Sequence, residues 1–140
     1  MRSAVVACML VASSFAVSAQ NYPAKPIRVI VGQAPGGATD IVSRALAQKL
    51  TDQMGQSVVI DNRSGAAGSI GSAIAASANP DGYTALIISS TYTINPSLYQ
   101  KLPFDPVRDL KPVTQIASSP FLLLVHPSLP VKTTRELIEI

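Results

Sequence analysis

The sequence predicts an α/β fold, a mostly parallel sheet flanked by helices. Three observations carry the prediction. Short apolar, β-branched runs recur at residues 27–31, 57–60 and 83–89. Segments with helical spacing of apolar residues separate them, and Gly, Pro, Asn or Asp marks each connection. Strands alternating with helices make βαβ crossovers, which set successive strands parallel in one sheet. Nearly continuous apolar strands fit such a sheet, because helices cover both of its faces.

The elements follow in order. "IRVIV" at 27–31 reads as a buried strand. Ile41, Val42, Ala45, Leu46 and Leu50 then recur at helical spacing, which predicts a helix over 39–53 with Gly55 as its terminal glycine. "SVVI" at 57–60 is a second strand, followed by the glycine-rich connection "DNRSGAAGS" and a small-residue helix, "IGSAIAASA". Pro80-Asp81-Gly82 supplies a turn into the third strand, "YTALIIS". Prolines crowd residues 95–112, where only a turn of helix around Ser97–Gln100 is expected. "VTQIAS" at 113–118 and "FLLLVHPS" at 121–128 read as two further strands. Thr133 lies three residues before Glu136, the spacing of a capping box that opens a helix.

Residues 1–19 stand apart. One early cation, Arg2, precedes an apolar stretch from Ala4 to Val17 and the small-x-small end Val17-Ser18-Ala19. That is the pattern of a secretory signal peptide cleaved after Ala19, and Ser13 and Ser14 interrupt the run before it reaches membrane-spanning length. Export to a periplasm is the expectation. The single cysteine, Cys8, belongs to this leader, so no disulfide framework is expected beyond it. The chain of 140 residues carries a net charge of +3, with its charges scattered rather than in basic runs, which argues against nucleic acid as a partner.

Three connections fall at the carboxyl edge of the expected sheet: residues 32–40, 61–69 and 89–95. Ligands of open α/β sheets bind at that edge. In the first, "GQAPGGATD", Pro35 stiffens the exit, Gly36 and Gly37 let the backbone turn, and Thr39 or Asp40 caps the helix. The unpaired amides of two adjacent helix N-termini would receive a carboxylate or a phosphate. The same residues would also serve as a well-capped tight turn and nothing more. Neither a dinucleotide fingerprint nor a P-loop fits the glycine spacing. His126, the one histidine, makes no metal site alone, and no nucleophile elbow or Ser-x-x-Lys pair occurs. Arg63 is expected to pair with Asp61, and Tyr83, Tyr92 and Tyr99 to pack, with Tyr92 close enough to the third loop to touch a ligand.

The stretches "PGGATDIVSRALAQKL", "GQSVVIDNRSGAAGSIGSAIAASANPDGYTALI" and "INPSLYQKLPFDPVRDLKPVTQIASSPFLLLVHPSLPVKTTRELI" resemble the Bug family, the TctC-like receptors of tripartite tricarboxylate transporters. The resemblance runs from about Tyr22 to the last residue. It implies a two-lobed binding protein of the type II periplasmic class, working as a monomer without a cofactor. Such a receptor captures a small carboxylate and delivers it to membrane permease subunits. On that reading residues 20–126 are a first lobe, residues 127–140 begin the crossover, and the second lobe is mostly absent from this chain. Carried over by position, the first carboxylate loop is Ala34-Pro35-Gly36-Gly37-Ala38-Thr39-Asp40. The second contains Gly65, Ala66 and Gly68, with Ser64 and Ala67 standing where the family pattern has proline and glycine. Ser90 and Thr91, within the segment Ser89–Asn95, would line the same cleft. A non-functional remnant of such a receptor, or an α/β enzyme of unknown reaction, are the alternatives.

Overall fold

The computed structural model describes residues 22–140; the signal-peptide expectation for residues 1–19 lies outside them. Three strands form one parallel sheet in the order β2-β1-β3. They are β1 (Ile27–Val31), β2 (Val58–Asn62) and β3 (Thr84–Ile87). β1 runs in register with β2 from Ile27↔Val58 to Val31↔Asn62, and with β3 from Arg28↔Thr84 to Val31↔Ile87. The order puts the most continuously apolar strand in the centre, where Val29, Ile30 and Val31 are buried.

Side chains alternate across a strand, so β1 feeds two layers. Ile27, Val29 and Val31 form one cluster with Met54, Val58, Ile60, Tyr83 and Ile87. Met54 comes from α1 (Ala38–Met54), which ends at Gly55 in the left-handed conformation (φ 68°), with the Gly55 amide donating to the Thr51 carbonyl. Thr51 also accepts the Val58 amide through its hydroxyl at 3.0 Å, joining the helix end to the start of β2. Ile30 faces the other layer, where α2 (Ser69–Ala76) lies close. A methyl group on Gly71 of that helix would sit 3.4 Å from Ile30 Cγ2 and 3.0 Å from the Gly32 Cα. The small residues of α2 let a helix rest backbone-on-backbone against the sheet.

The opposite edge is tied by aromatic and polar contacts. The rings of Tyr22 and Tyr83 lie 5.1 Å apart, and the Tyr22 hydroxyl donates to the Gly82 carbonyl at 2.7 Å. Asp81 accepts the Tyr83 amide and pairs with Lys25 Nζ at 3.1 Å, so the turn before β3 holds the segment that leads into β1.

Two expectations for the later chain are corrected. Helix α3 spans Thr91–Leu98, where a loop and a single turn at 97–100 were expected. Pro96 weighed against a helix there. The buried Asn95 outweighs it, donating its side-chain amide to the Ala67 carbonyl at 3.1 Å and to Ser69 Oγ at 3.0 Å. Residues 113–118 and 121–128 form no strands. Phe121 and Leu124 are 95% and 85% exposed, because an apolar strand needs hydrogen-bonded neighbours and no other strand among the described residues pairs with these segments. The last helix, α4 (Thr134–Ile138), opens on Thr133, whose hydroxyl accepts the Glu136 amide as its sequence spacing predicts.

Replacing Ile30 by alanine is expected to cost about 3 kcal/mol in urea denaturation, the usual cost of truncating a buried isoleucine. Leu122→Ala, at an exposed position, should change stability by less than about 0.5 kcal/mol. Equal effects would show that the apolar segment 121–125 is packed in solution.

Candidate functional site

All three glycine- and hydroxyl-rich loops lie at the carboxyl edge of the sheet. The first two touch through backbone. A methyl group on Gly32 would lie 3.3 Å from both the Gly68 Cα and its carbonyl oxygen. The third is stitched to the first by Gln33, whose side-chain amide donates to Ser89 Oγ at 3.2 Å, with Thr91 Oγ1 a further 2.8 Å away. Asn95, one turn along α3 from Thr91, reaches the second loop through the bonds to Ala67 and Ser69.

In the first loop, Ala34, Pro35, Gly36 and Gly37 are exposed and Thr39 is half-buried. The expected side-chain cap is absent. The N-cap is Gly37, with extended backbone (φ −75°, ψ 167°) and no side chain to donate or accept. Thr39 contributes its carbonyl, which accepts from Ser43 Oγ at 2.6 Å. Asp40, inside the first turn of α1, is 3% exposed. One carboxylate oxygen accepts the Gly36 amide and Arg44 Nε, each at 2.9 Å, and the other accepts Asn62 Nδ2 at 2.9 Å.

These donors all favour the charged form. The Arg44 hydrogen bond, then the Gly36 amide and Asn62, bring the Asp40 carboxyl down to about 2. Asp40 is therefore an ionised brace with filled acceptors, neither an acid-base group nor a cap of its own helix. The Gly36 amide, taken by Asp40, is withdrawn from the set expected to face a ligand. The amides of Ala38, Thr39 and Asp40 remain, since the first intrahelical bond runs from Ile41 to the Gly37 carbonyl and earlier amides have no acceptor one turn back.

The second loop is held in an unusual conformation. Gly65 (φ 128°), Ala66 (φ 45°), Ala67 (φ 52°) and Gly68 (φ 88°) all have positive φ. Alanine in the left-handed region costs about 1–2 kcal/mol against the right-handed one. Ala67 is thus a strained residue. Gly65, Ala66 and Ala67 are exposed, whereas Gly68 is buried and accepts Ser72 Oγ at 2.9 Å through its carbonyl. In the third loop Ser90 is exposed and Thr91 half-buried, both beside the α3 N-terminus.

Other candidates fall to structural roles. Arg63 pairs with Asp61 at 2.9 Å, as expected, and Arg28 Nε reaches the other Asp61 oxygen at 2.9 Å. Tyr92 packs instead of facing a ligand: its ring stacks 6.3 Å from Phe104 and its hydroxyl donates to the Pro106 carbonyl. His126 is exposed, with Nδ1 accepting the Ser128 amide at 3.2 Å. No cluster of metal-ligating side chains occurs among the described residues.

The family model described as "Tripartite tricarboxylate transporter family receptor" matches residues 42–140. The chain belongs to this TctC family. Protein BugT of Bordetella pertussis is 42% identical over 124 residues, covering 87% of this chain and 38% of BugT. Among solved structures, R. palustris Rpa4515 with adipate is 37% identical with a TM-score of 0.68, covering 84% of this chain and 40% of the other. MatC of Rhodopseudomonas palustris, with bound malate, is 32% identical with a TM-score of 0.57, covering 63% and 30%. The chain thus spans about two fifths of the length of the curated relatives it matches. TctC proteins are receptors, which sets the enzyme alternative aside.

Two variants test the backbone reading. Gly36→Ala puts a side chain on a residue with φ 81° and should cost about 1 kcal/mol, whereas Gly37→Ala, with φ −75°, should stay within about 0.5 kcal/mol of wild type. Equal denaturation midpoints would reject the assigned conformations. Ala67→Gly should stabilise the chain by about 0.5 kcal/mol, the released strain exceeding the added freedom of the unfolded glycine. A lowered urea midpoint would show that Ala67 carries no strain.

Proposed function

We propose that this chain supplies the first lobe of a periplasmic TctC receptor, which captures a small carboxylate for a tripartite tricarboxylate transporter. The observation that carries the proposal is the close approach of the first and second loops, where Gly32, leaving β1, meets Gly68, the N-cap of α2, backbone to backbone. Of the two loops, the first leads into the amides of Ala38, Thr39 and Asp40, which lack intrahelical acceptors and lie at the positive end of a helix dipole. At the start of α2, by contrast, the Gly68 amide donates to the Gly65 carbonyl and the Ser69 amide to the Ala66 carbonyl. A carboxylate seated between the two loops accepts from main-chain donors and needs no cationic side chain. The donors in the first loop are the amides of Ala38, Thr39 and Asp40, with Ala34, Pro35 and Gly37 forming the wall. In the second loop Gly65 and Ala66 offer the donors, and Gly68, its amide bonded to the Gly65 carbonyl, contributes to the wall. Ser90 and Thr91 border the cleft from α3.

Adipate in one relative and malate in another support a dicarboxylate as ligand class. Export through cleavage after Ala19, monomeric action and transient docking to membrane permease subunits complete the proposal. No helix among the described residues is long and apolar enough to cross a membrane, which accords with delivery to a separate permease.

Titration calorimetry with adipate and malate tests the reading. Valine is unstrained at the φ of Gly37 and adds bulk next to the Ala38 amide, so Gly37→Val should weaken binding at least about tenfold, while the less favoured N-cap residue costs about 1 kcal/mol of stability. Undiminished affinity in Gly37→Val would remove the first loop from the site. No heat and no thermal shift with either acid in the wild-type chain would overturn the dicarboxylate assignment.

A further inference from the structure

Asn62 is the last residue of β2 and the register partner of Val31, the point where the chain leaves β1 for the first loop. Its side-chain amide spans that loop. Nδ2 donates to the Gln33 carbonyl at 3.3 Å and to Asp40 Oδ1 at 2.9 Å, and Oδ1 accepts from Arg44 Nη2 at 3.1 Å. One amide group therefore holds both ends of the segment 33–40. Within that closed segment the other Asp40 oxygen holds the Gly36 amide at 2.9 Å.

We infer that Asn62 is the positioning residue of the first binding loop: by clamping Gln33 to Asp40 across the loop, it fixes the conformation in which the first-turn amides of α1 meet a ligand. The chemistry requires asparagine. Two N–H donors face a carbonyl and a carboxylate, while an acceptor faces a guanidinium. Aspartate has the same shape but turns both donor contacts into repulsions. Leucine fills the space and leaves the Gln33 carbonyl and one Asp40 oxygen without that donor. The clamp also links the loops, because the residue that follows Asn62 opens the second glycine loop. The ligand consequence rests on the carboxylate reading above; the clamp itself does not.

The test uses the full chain with Asn62→Leu and Asn62→Asp, read by amide hydrogen exchange at Gly36 and by calorimetry with adipate and malate. Both variants should speed Gly36 exchange at least about tenfold while the core amide of Ile30 stays protected, and should weaken dicarboxylate binding by a similar factor. In Asn62→Asp two carboxylates face each other. Arg44 is the charged side chain bonded to this pair, while Asp61 with Arg28 and Arg63 forms a separate set. Gly36 protection in that variant should therefore return as acid supplies one shared proton, a pH step that the wild type lacks. Unchanged Gly36 exchange in a variant with Ile30 protected would overturn the inference, and so would a loosened Gly36 with full dicarboxylate affinity. If Asn62→Leu fails to fold, Asn62→Asp decides alone through its pH step. If the wild type binds neither acid, the carboxylate reading fails, and Gly36 exchange still decides the clamp.

Discussion

The carboxyl edge of this sheet depends on an approach of backbone to backbone, with the Ile88 side chain packed beside it. Gly32 leaves β1 directly against the backbone of Gly68, and Gly71 rests against Gly32 and the Arg63 carbonyl. A side chain at any of the three would push α2 away from the sheet by a few tenths of an ångström or more. The first and second loops would then separate. The small-residue composition of α2, which reads at first as a weak helix, is the condition for this approach.

Around that contact the polar groups divide by role. Ionised side chains are engaged with one another: Asp40 with Arg44, and Asp61 with Arg28 and Arg63. Neutral amides of Gln33, Asn62 and Asn95 cross between loops, where they bond to main-chain and hydroxyl groups and, for Asn62, also to Asp40 and Arg44. At the start of α1 the arrangement leaves the amides of Ala38, Thr39 and Asp40 without internal partners. An unpaired charge at such a site would demand a counter-ion whenever the ligand was absent, whereas exposed amides are content with water.

The sheet and its two long crossovers were legible because they rest on local periodicity. The apolar alternation of "IRVIV", the helical spacing from Ile41 to Leu50 and the terminal Gly55 each need only a few neighbouring residues to interpret. The misreadings share the opposite property. Asp40 looked like a cap because it follows Gly-Gly-Ala-Thr, and only the fold brings Asn62 within 2.9 Å of it. Asn95 and Pro96 open a proline-crowded stretch that argued against a helix, and the buried bonds of Asn95 to the second loop reach back 26 and 28 positions in sequence. The segment 113–125 carries strand chemistry, yet strand formation depends on partners that composition cannot reveal. Asn62 left one signal that could have been found, a polar residue ending an apolar strand just before a glycine loop.

The unpaired amides of the first turn of α1 belong to the peptide backbone, so among single replacements only a proline deletes one of them. Under the proposed function, substitutions around the first loop would alter the shape offered to a ligand while most of the anchoring donors persist. Affinity for an anionic group and preference among anions would then be inherited separately, the first by the turn geometry and the second by the side chains around it. A lineage built this way would change diet by drift at the rim without passing through a variant that grips nothing.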